Sequence, residues 1–226
     1  MNNRIIDLTL VLGGDQITPV PGLIGVETSP LQTHQSHARS NTKLTMPTHI
    51  GTHVDAPYHF IESGTTLENV PLEKFIGPGL LLDLRETSKS KTAISLQDID
   101  SALDGKIINP EQILILFTGW TSLKSGAAEY YSDGPYLSNE AANYLVKQNI
   151  KSVAIDFPID KHPSTPESTI DDFPVHRILL GAEIPIIENL INLHLLIGQE
   201  FTLSALPLNL KGGDGSATRA VALLNS

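Results

Sequence analysis

Short apolar runs of β-type composition alternate along this chain with segments of helical pattern. The clearest runs are residues 79–85, 112–117 and 152–157, whose branched aliphatic side chains suit buried strands. Residues 95–103 and 138–148 lie between them, and each begins with a serine that suits a helix N-cap. Because strands that alternate with helices form sheets with helices packed against them, this order predicts an α/β fold with a mixed sheet.

The other predicted elements lie nearer the two ends of the chain. Residues 4–10 are predicted as a first strand, and residues 200–210 and 218–224 as closing strands. Residues 172–182 are predicted as a short helix, with a proline near its start and a glycine at its end. The chain has 226 residues and no obvious linker, so we expect residues 1–226 to form a single domain.

One long stretch near the start has no clear pattern. Residues 12–40 are rich in glycine, proline, serine, threonine and glutamine, and are predicted as a single loop. A loop of this length is uncommon unless it has a function, such as covering a site. His34 and His37 lie in it, and they are either exposed polar residues or part of a lid that contacts substrate.

Charge and cysteine content exclude several functional classes. The formal net charge is −10 and the lysines and arginines do not cluster, so we expect no nucleic-acid partner. The absence of cysteine excludes disulfides, thiolate nucleophiles and cysteine-based zinc fingers. No stretch reaches the roughly 18 apolar residues of a membrane span, and the start lacks a signal-peptide pattern. We therefore expect a cytoplasmic protein with no membrane partner.

Residues 47–60 hold the densest group of ionisable side chains in the chain. Three of the eight histidines and one aspartate lie there, at positions His49, His53, Asp55 and His59. All four positions are odd-numbered. Because successive side chains of an extended strand point to opposite faces, an extended segment would carry all four groups on one face.

A helix would also bring His49 and His53 together, since they are four residues apart. Gly51, two β-branched residues and Pro57 oppose a helix here. In a straight strand the two histidines would be about 13 Å apart, which is too far for one ion with ligand atoms at ~2.0–2.2 Å. The segment is therefore predicted to be extended, with a bend at Gly51.

Imidazole and carboxylate together suit Zn²⁺, Mn²⁺ or Fe²⁺ as a bound metal. Three ligands from one short segment leave a coordination position open, as in catalytic sites. The alternative is a polar strand face whose histidines are only hydrogen-bonded. His176, on a predicted helix, and Glu188, after it, could complete a metal site, although each alone also fits a solvent-facing side chain.

Several other residues keep two interpretations each. Trp120 could line a pocket or pack in the core, and Arg219 could hold a substrate carboxylate or pair with an acid. Asp156, Asp160 and His162 follow a predicted strand, and we interpret them as a polar turn that borders the site.

Residues 49–60, HIGTHVDAPYHF, resemble the signature H-x-G-T-H-x-D-x-P-x-H-F of the cyclase family of metal-dependent hydrolases. This family includes bacterial kynurenine formamidases and isatin hydrolases. Further stretches follow in the family's order, and they are residues 117–120, 136–145, 153–162, 176–193 and 212–223. The resemblance departs at residues 17–27, which lack the tryptophan and the Gly-Asp pair of members that act on formylkynurenine.

The resemblance implies a mixed-sheet β/β/α fold of swivelling-domain type, usually in a homodimer or homotetramer. It also implies five metal ligands, which are His49, His53, Asp55, His176 and Glu188. Asp55 would bridge two metals where two are bound, and His59 would be the catalytic general acid or base.

The resulting hypothesis is a metal-dependent hydrolase that cleaves an amide, formamide or cyclic amide C–N bond of a small-molecule substrate. One or two divalent ions per chain, zinc or manganese, would activate water, with His59 as the proton carrier. Three alternatives stay open: hydrolysis of a lactone or another ester, a non-catalytic metal-binding protein, and a structural domain without metal.

Overall fold

A computed structural model describes residues 4–161 and 169–225 of the chain. The strands of the described ranges are β1 (Ile5–Asp7), β2 (Glu27–Gln32), β3 (Asn41–Thr45), β4 (His53–Asp55), β5 (Ile76–Asp83), β6 (Ala93–Ile94), β7 (Ile113–Phe117), β8 (Tyr136–Leu137), β9 (Ser152–Ile155), β10 (Ile186–Glu188), β11 (Phe201–Ser204), β12 (Gly215–Ala217) and β13 (Val221–Leu224). The α-helices are α1 (His34–His37), α2 (Leu96–Leu103), α3 (Trp120–Lys124), α4 (Asn139–Lys147) and α5 (Pro174–Gly181). Short 3-10 turns cover Pro57–His59, Leu67–Asn69, Leu72–Lys74 and Leu193–Leu196.

Nine strands form one mixed sheet in the order β1-β13-β11-β5-β7-β9-β10-β4-β12. Strands β5, β7, β9 and β10 pair in parallel. The pairs on either side of them are antiparallel. The α/β class with a mixed sheet, predicted from the order of apolar runs and helical segments, is confirmed.

Strand β7 shows why its sequence is apolar throughout. All five residues of Ile113–Phe117 are buried. Leu114 and Leu116 belong to the apolar cluster that also contains buried residues of helices α2, α4 and α5. Ile113 and Ile115 belong to a second cluster that contains residues of β11 and β13. Because alternate side chains point to opposite faces, a strand with an apolar layer on both faces needs a continuous apolar run.

The predicted serine caps of two helices are confirmed. The Ser95 hydroxyl accepts a hydrogen bond from the Asp98 amide, and the Asp98 carboxylate accepts one from the Ser95 amide, which forms a capping box. The Ser138 hydroxyl accepts a hydrogen bond from the Ala141 amide at the start of α4. Within residues 4–161 and 169–225, no helix has the length and apolar character that crossing a membrane requires.

Two local predictions were wrong. Residues 12–40 are not a continuous loop, because β2 and the short helix α1 lie within them and β2 pairs with β3. Every residue of β3 is exposed and β2 is nearly as exposed, so neither strand has the apolar alternation by which a strand is recognised. The extended segment over residues 47–60 is also shorter than predicted, because only His53–Asp55 is a strand.

Candidate active site

Strand β4 carries the centre of the candidate site. It lies between β10 and β12, and its residues His53, Val54 and Asp55 are buried. The antiparallel register pairs Glu188 of β10 with His53 and pairs Ile186 with Asp55. Because directly opposed residues have side chains on the same face of a sheet, this register brings Glu188 beside His53 although the two are distant in sequence.

The chain bends before β4, as predicted. Gly51 has φ = 63°, in the left-handed region that favours glycine. A Cβ atom on Gly51 would lie 2.8 Å from Ile17 Cδ1, so a larger residue would also meet a neighbour. The bend brings the His49 and His53 rings to a centroid distance of 5.3 Å. After β4, the 3-10 turn brings His59 back onto His49, with stacked ring centroids 3.7 Å apart.

Two histidines are fixed with one nitrogen facing the site. His53 Nδ1 lies 2.8 Å from the Gly51 carbonyl oxygen, which can only accept, so Nδ1 carries the proton. His176 Nδ1 lies 2.7 Å from Asp160 Oδ2 and donates to this carboxylate. In both rings Nε2 then faces the carboxylates of the site. A hydrogen bond on the far nitrogen is the usual way in which a protein orients a metal-binding histidine.

His53, Asp55 and Glu188 place ligand atoms within 4.8 Å of one another, a spacing that one divalent metal ion can span, and His176 lies beside the two carboxylates. His53 Nε2 lies 3.3 Å from Asp55 Oδ1 and 3.7 Å from Glu188 Oε2. His176 Nε2 lies 3.5 Å from Asp55 Oδ2 and 3.3 Å from Glu188 Oε1. Neighbouring ligand atoms of a tetrahedral ion with bonds of ~2.0–2.2 Å are about 3.3–3.6 Å apart. The donor set and its spacing therefore fit a divalent metal ion.

The buried oxygen Asp55 Oδ2 supports the same fit. Among the described residues it has no hydrogen-bond partner, although its side chain is only 1% exposed. A buried carboxylate oxygen without a partner is costly unless a cation or another group satisfies it. Burial opposes ionisation, but the charge of His49 and the nearby rings of His176, His49 and His53 hold the pKa of Asp55 well below its usual value. Asp55 therefore presents a charged oxygen to the space between the two histidines.

His49 lies at the edge of this group and contacts two carboxylates. Its Nδ1 lies 2.7 Å from Asp55 Oδ1, and its Nε2 lies 3.4 Å from Asp214 Oδ2. Gly215 leaves room for the ring, because a Cβ there would lie 2.5 Å from His49 Cε1. Burial disfavours the charged ring, but the Asp55 and Asp214 carboxylates outweigh it and raise the pKa of His49 to about 9. Without metal, His49 is therefore a cation at neutral pH.

His59 faces the same space from the 3-10 turn. Ligand atoms of His49, Asp55 and His59 lie within 4.8 Å of one another, so the geometry admits His59 as a ligand as well as a base. Burial lowers the pKa of His59 to about 3. The nearby Asp55 carboxylate opposes this shift, and the charges of His49 and His176 act in the same direction as burial. The ring is therefore neutral at pH 7 in the metal-free site.

Metal binding is expected to strengthen as pH rises. Burial opposes charging of His176, but hydrogen bonds to Asp160, Asp55 and Glu188 raise its pKa well above the usual value, so His176 and His49 both hold a second proton without metal. A protonated imidazole cannot bind a metal, so each ring must lose a proton when it becomes a ligand. The dissociation constant for Zn²⁺ should fall about tenfold per pH unit for each proton released.

This pH dependence can be measured by competition with a chelator at several pH values between 6 and 8, corrected for the chelator's own protonation. The variant His37→Ala is a control, because His37 lies on the exposed helix α1 and should leave the slope unchanged. A dissociation constant that is constant over this range would contradict the assignment of His49 and His176 as ligands.

A cavity of about 310 Å³ opens directly over these groups. The histidines and carboxylates of the site line it, and the remaining lining is largely apolar. That lining includes Val20, Pro21, Leu23, Phe60, Tyr131, Pro158, Ile159 and Phe173. Such a combination of apolar walls with a few convergent polar groups is typical of a small-molecule site.

The sequence predicted Asp160 in a polar turn that borders the site. The structure gives it a more direct role, because it contacts His176. It is buried, and its carboxylate accepts hydrogen bonds from the Val175 and His176 amides at the start of α5, at 2.9 and 3.0 Å. The same carboxylate holds His176 Nδ1. One side chain therefore caps the helix and orients the histidine that the helix carries.

The other candidates of the sequence lie away from the cavity. Trp120 donates from Nε1 to the Tyr130 carbonyl at 2.9 Å and packs against the apolar core. Arg219 pairs with Asp7 at 2.7 Å on the surface, so its ion-pair interpretation is the one that the geometry supports. His34 and His37 are exposed on α1 and do not line the cavity. His162 lies outside the described residues.

Asp214 and Asn189 were missed as site residues by the sequence reasoning. Asp214 lies in the stretch 212–223, which follows the family's order, but no role was assigned to this aspartate from the sequence. Asn189 directly follows Glu188 and hydrogen-bonds to the Gly51 carbonyl. A signal was present for Asp214, as a carboxylate between two glycines, but nothing local in the sequence links either residue to the histidines.

Comparison with known proteins points to one family. A family model described as "Putative cyclase" matches residues 6–160. A kynurenine formamidase from Geobacillus thermodenitrificans is 33% identical over 180 residues, which are 79% of this chain and 77% of the relative. A kynurenine formamidase from Bacillus cereus is 31% identical over 180 residues, which are 79% of this chain and 78% of the relative.

Solved structures give the same fold. An isatin hydrolase bound to the product analogue thioisatinate superposes with a TM-score of 0.85 at 22% identity, covering 98% of this chain and 92% of that one. Isatin hydrolase A from Labrenzia aggregata, bound to benzyl benzoate, has a TM-score of 0.82 at 24% identity and covers 99% and 94%. With a family model over more than half of the chain and a relative above 30% identity, the chain belongs to the cyclase family of metal-dependent hydrolases.

Proposed function

We propose that this protein is a metal-dependent hydrolase that cleaves the C–N bond of a formamide or a cyclic amide. The observation that carries the proposal is the convergence of His53, His176, Asp55 and Glu188 beneath an apolar-walled cavity, with His59 beside them. Relatives named kynurenine formamidase and isatin hydrolase support this type of reaction. The similarity of these proteins to this chain supports hydrolysis of a C–N bond. The substrate is to be identified by experiment.

The metal would be held by five side chains, which are His49, His53, Asp55, His176 and Glu188. Asp55 has one oxygen toward His49 and His53 and the other toward His176, so it would contribute a ligand atom on either side whether one ion or two are bound. We propose Zn²⁺ or Mn²⁺, one or two per chain, because imidazole and carboxylate ligands suit both. These residues would hold an ion whose chemistry would be to polarise a substrate carbonyl and to lower the pKa of water toward about 7.

His59 is proposed as the proton carrier of the reaction. Its neutral ring can take a proton from water as the carbonyl is attacked, and can then give that proton to the leaving nitrogen. The ring is held in place by stacking on His49 at 3.7 Å and by an edge contact with Phe60 at 4.5 Å. A serine or cysteine nucleophile has no support, because the chain has no cysteine and no G-x-S-x-G motif.

The cavity favours aromatic substrates. Phe60, Phe173 and Ile159 form apolar walls around the polar floor, and a volume of about 310 Å³ suits a molecule with one or two fused rings. Val20 and Leu23 also line the cavity. They lie in residues 17–27, which lack the tryptophan and the Gly-Asp pair expected of family members that act on formylkynurenine. We therefore propose an aryl formamide or a fused cyclic amide rather than formylkynurenine specifically.

The test of this proposal is metal analysis combined with a substrate panel. Protein purified without a histidine tag, chelator or added metal should contain divalent metal. Reconstituted protein should hydrolyse aryl formamides and fused cyclic amides faster than aliphatic formamides of equal size. Chelation should abolish the activity and lower the melting temperature.

Hydrolysis of lactones or esters alone would favour the ester alternative. Bound metal without any hydrolysis would favour a metal-binding protein, and no metal after reconstitution would reject the proposal.

We also propose that the chain assembles as a homodimer or homotetramer. The hairpin of β2 and β3 supports this, because its strands pair only with each other in the described ranges and expose Leu31 and Leu44. A two-stranded hairpin is marginally stable unless something packs against it. Light scattering after size-exclusion chromatography tests the assembly, and a monomeric mass would reject it. A cytoplasmic location and the lack of nucleic-acid or membrane partners stay predictions.

A further inference from the structure

Asn189 joins the two segments that carry the proposed metal ligands. It directly follows Glu188 and has φ = 59°, a conformation that asparagine tolerates. Its carbonyl oxygen accepts a hydrogen bond from the Thr52 hydroxyl at 2.8 Å, and its side-chain Nδ2 donates to the Gly51 carbonyl at 2.9 Å. The residue after β10 therefore holds the bend before β4 through two hydrogen bonds.

The Gly51 carbonyl receives a second hydrogen bond, from His53 Nδ1 at 2.8 Å. This bond fixes the tautomer of His53 and directs Nε2 toward Asp55 and Glu188. Asn189 and His53 thus share one acceptor. Because the Asn189 amide helps to set where this carbonyl points, it also sets the direction in which the coordinating nitrogen of His53 points.

The orientation of the Asn189 amide is itself fixed from the other side. Tyr130 donates its hydroxyl proton to Asn189 Oδ1 at 2.5 Å, which leaves Nδ2 to face Gly51. The Thr121 hydroxyl lies 2.8 Å from the Tyr130 hydroxyl and donates to the Asp156 carbonyl at 2.7 Å. Asn189, Tyr130 and Thr121 are all buried, so these hydrogen bonds are shielded from water.

We propose that Asn189 is a positioning residue for the metal site, which sets the His53 ring through the Gly51 carbonyl without touching the ion. The inference rests on the proposed function, because it requires His53 to be a ligand. It goes beyond that function by assigning a role to a buried amide that has none in the proposed chemistry. Second-sphere contacts of this kind typically change metal affinity by about 10–100-fold when they are removed.

The chain offers a control for the loss of a hydrogen bond of this kind. Asn192 also has φ = 59°, and its Nδ2 also donates to a backbone carbonyl at 2.9 Å, that of Asp7. Glycine at either position keeps the backbone conformation and removes only the amide. Asn192→Gly loses one hydrogen bond to a backbone carbonyl. Asn189→Gly loses the corresponding bond to Gly51 and also the bond from Tyr130, and only the Gly51 carbonyl leads to a proposed ligand.

The experiment measures Zn²⁺ affinity by chelator competition and the visible spectrum after Co²⁺ substitution, together with the melting temperature of each metal-free protein. Asn189→Gly should raise the Zn²⁺ dissociation constant about 10–100-fold and alter the Co²⁺ spectrum, whereas Asn192→Gly should leave both close to the parent. Both variants are expected to lose thermal stability. Equal metal affinity and equal spectra in the two variants would overturn the inference, even if both were less stable.

A second variant covers the case in which Asn189→Gly does not fold. Tyr130→Phe keeps the ring and removes only the hydroxyl that holds the Asn189 amide. It should raise the Zn²⁺ dissociation constant about threefold to tenfold, the effect of one ordinary hydrogen bond. Parental affinity and spectrum in Tyr130→Phe would then overturn the inference. A parent protein that binds no divalent ion would overturn the proposed function and this inference with it.

Discussion

Replacing Asp55 by asparagine is expected to remove the bound metal and to lower turnover by at least about 10³-fold, or ~4 kcal/mol of transition-state stabilisation. Asp55 is the residue around which the candidate ligands converge. Its Oδ1 faces His49 and His53, and its Oδ2 faces His176. Asparagine keeps the shape but removes the charge and turns one oxygen into an N–H donor. That donor would face imidazole nitrogens and would be repelled by a cation.

The measurement is metal content per chain by elemental analysis, with initial rates on the substrate found for the parent. Asp156→Asn is the matched control, because Asp156 is an equally buried aspartate outside the cavity. Its carboxylate accepts hydrogen bonds from Thr118 N, Thr118 Oγ1 and Gly119 N at 2.7–2.8 Å. In Asp156→Asn the side-chain N–H group would face one of these N–H or O–H donors and would leave it without an acceptor. This variant should therefore lose about 1–3 kcal/mol of stability while retaining metal. Full metal content in Asp55→Asn would reject the proposed site.

Replacing His59 by alanine is expected to lower kcat by about 10²–10⁴-fold while metal content stays near the parental value. The reason is that the His59 ring is proposed to move a proton, whereas the ion would be held by the other five side chains. His59→Phe is the companion variant, because phenylalanine preserves the stacking on His49 and removes both ring nitrogens. Both variants should therefore be inactive to a similar degree.

The two measurements separate the roles that the geometry admits for His59. Loss of metal in both variants would make His59 a ligand, in line with its grouping with His49 and Asp55. Loss of metal in His59→Ala alone would indicate that the ring mainly supports His49. Parental activity in either variant would remove His59 from the mechanism and would require another proton carrier near the cavity.

Much of the local structure was predictable, because it depends on neighbours in the sequence. The caps at Ser95 and Ser138 follow from the preference of a serine hydroxyl for exposed amides at a helix start. The buried character of β7 follows from its unbroken apolar run. The bend at Gly51 follows from the distance that a straight strand would impose on His49 and His53.

The polar hairpin of β2 and β3 was not predictable from its pattern. An apolar alternation appears in a strand because one face is buried, and both faces of this hairpin are exposed in the chain as described. Its sequence therefore has the composition of a loop. The strands form because their backbones pair in register, from Glu27 opposite Thr45 onward.

The sequence by itself determined the kinds of groups at the site and the tight local cluster from His49 to His59. Only the tertiary structure decided which distant groups meet them. The pairing of β10 with β4 brings Glu188 to His53, the start of α5 brings His176 to Asp160, and Asn189 reaches the bend at Gly51. Strand order and register arise from the packing of the whole sheet, whereas sequence periodicity reports only which face of each element is buried.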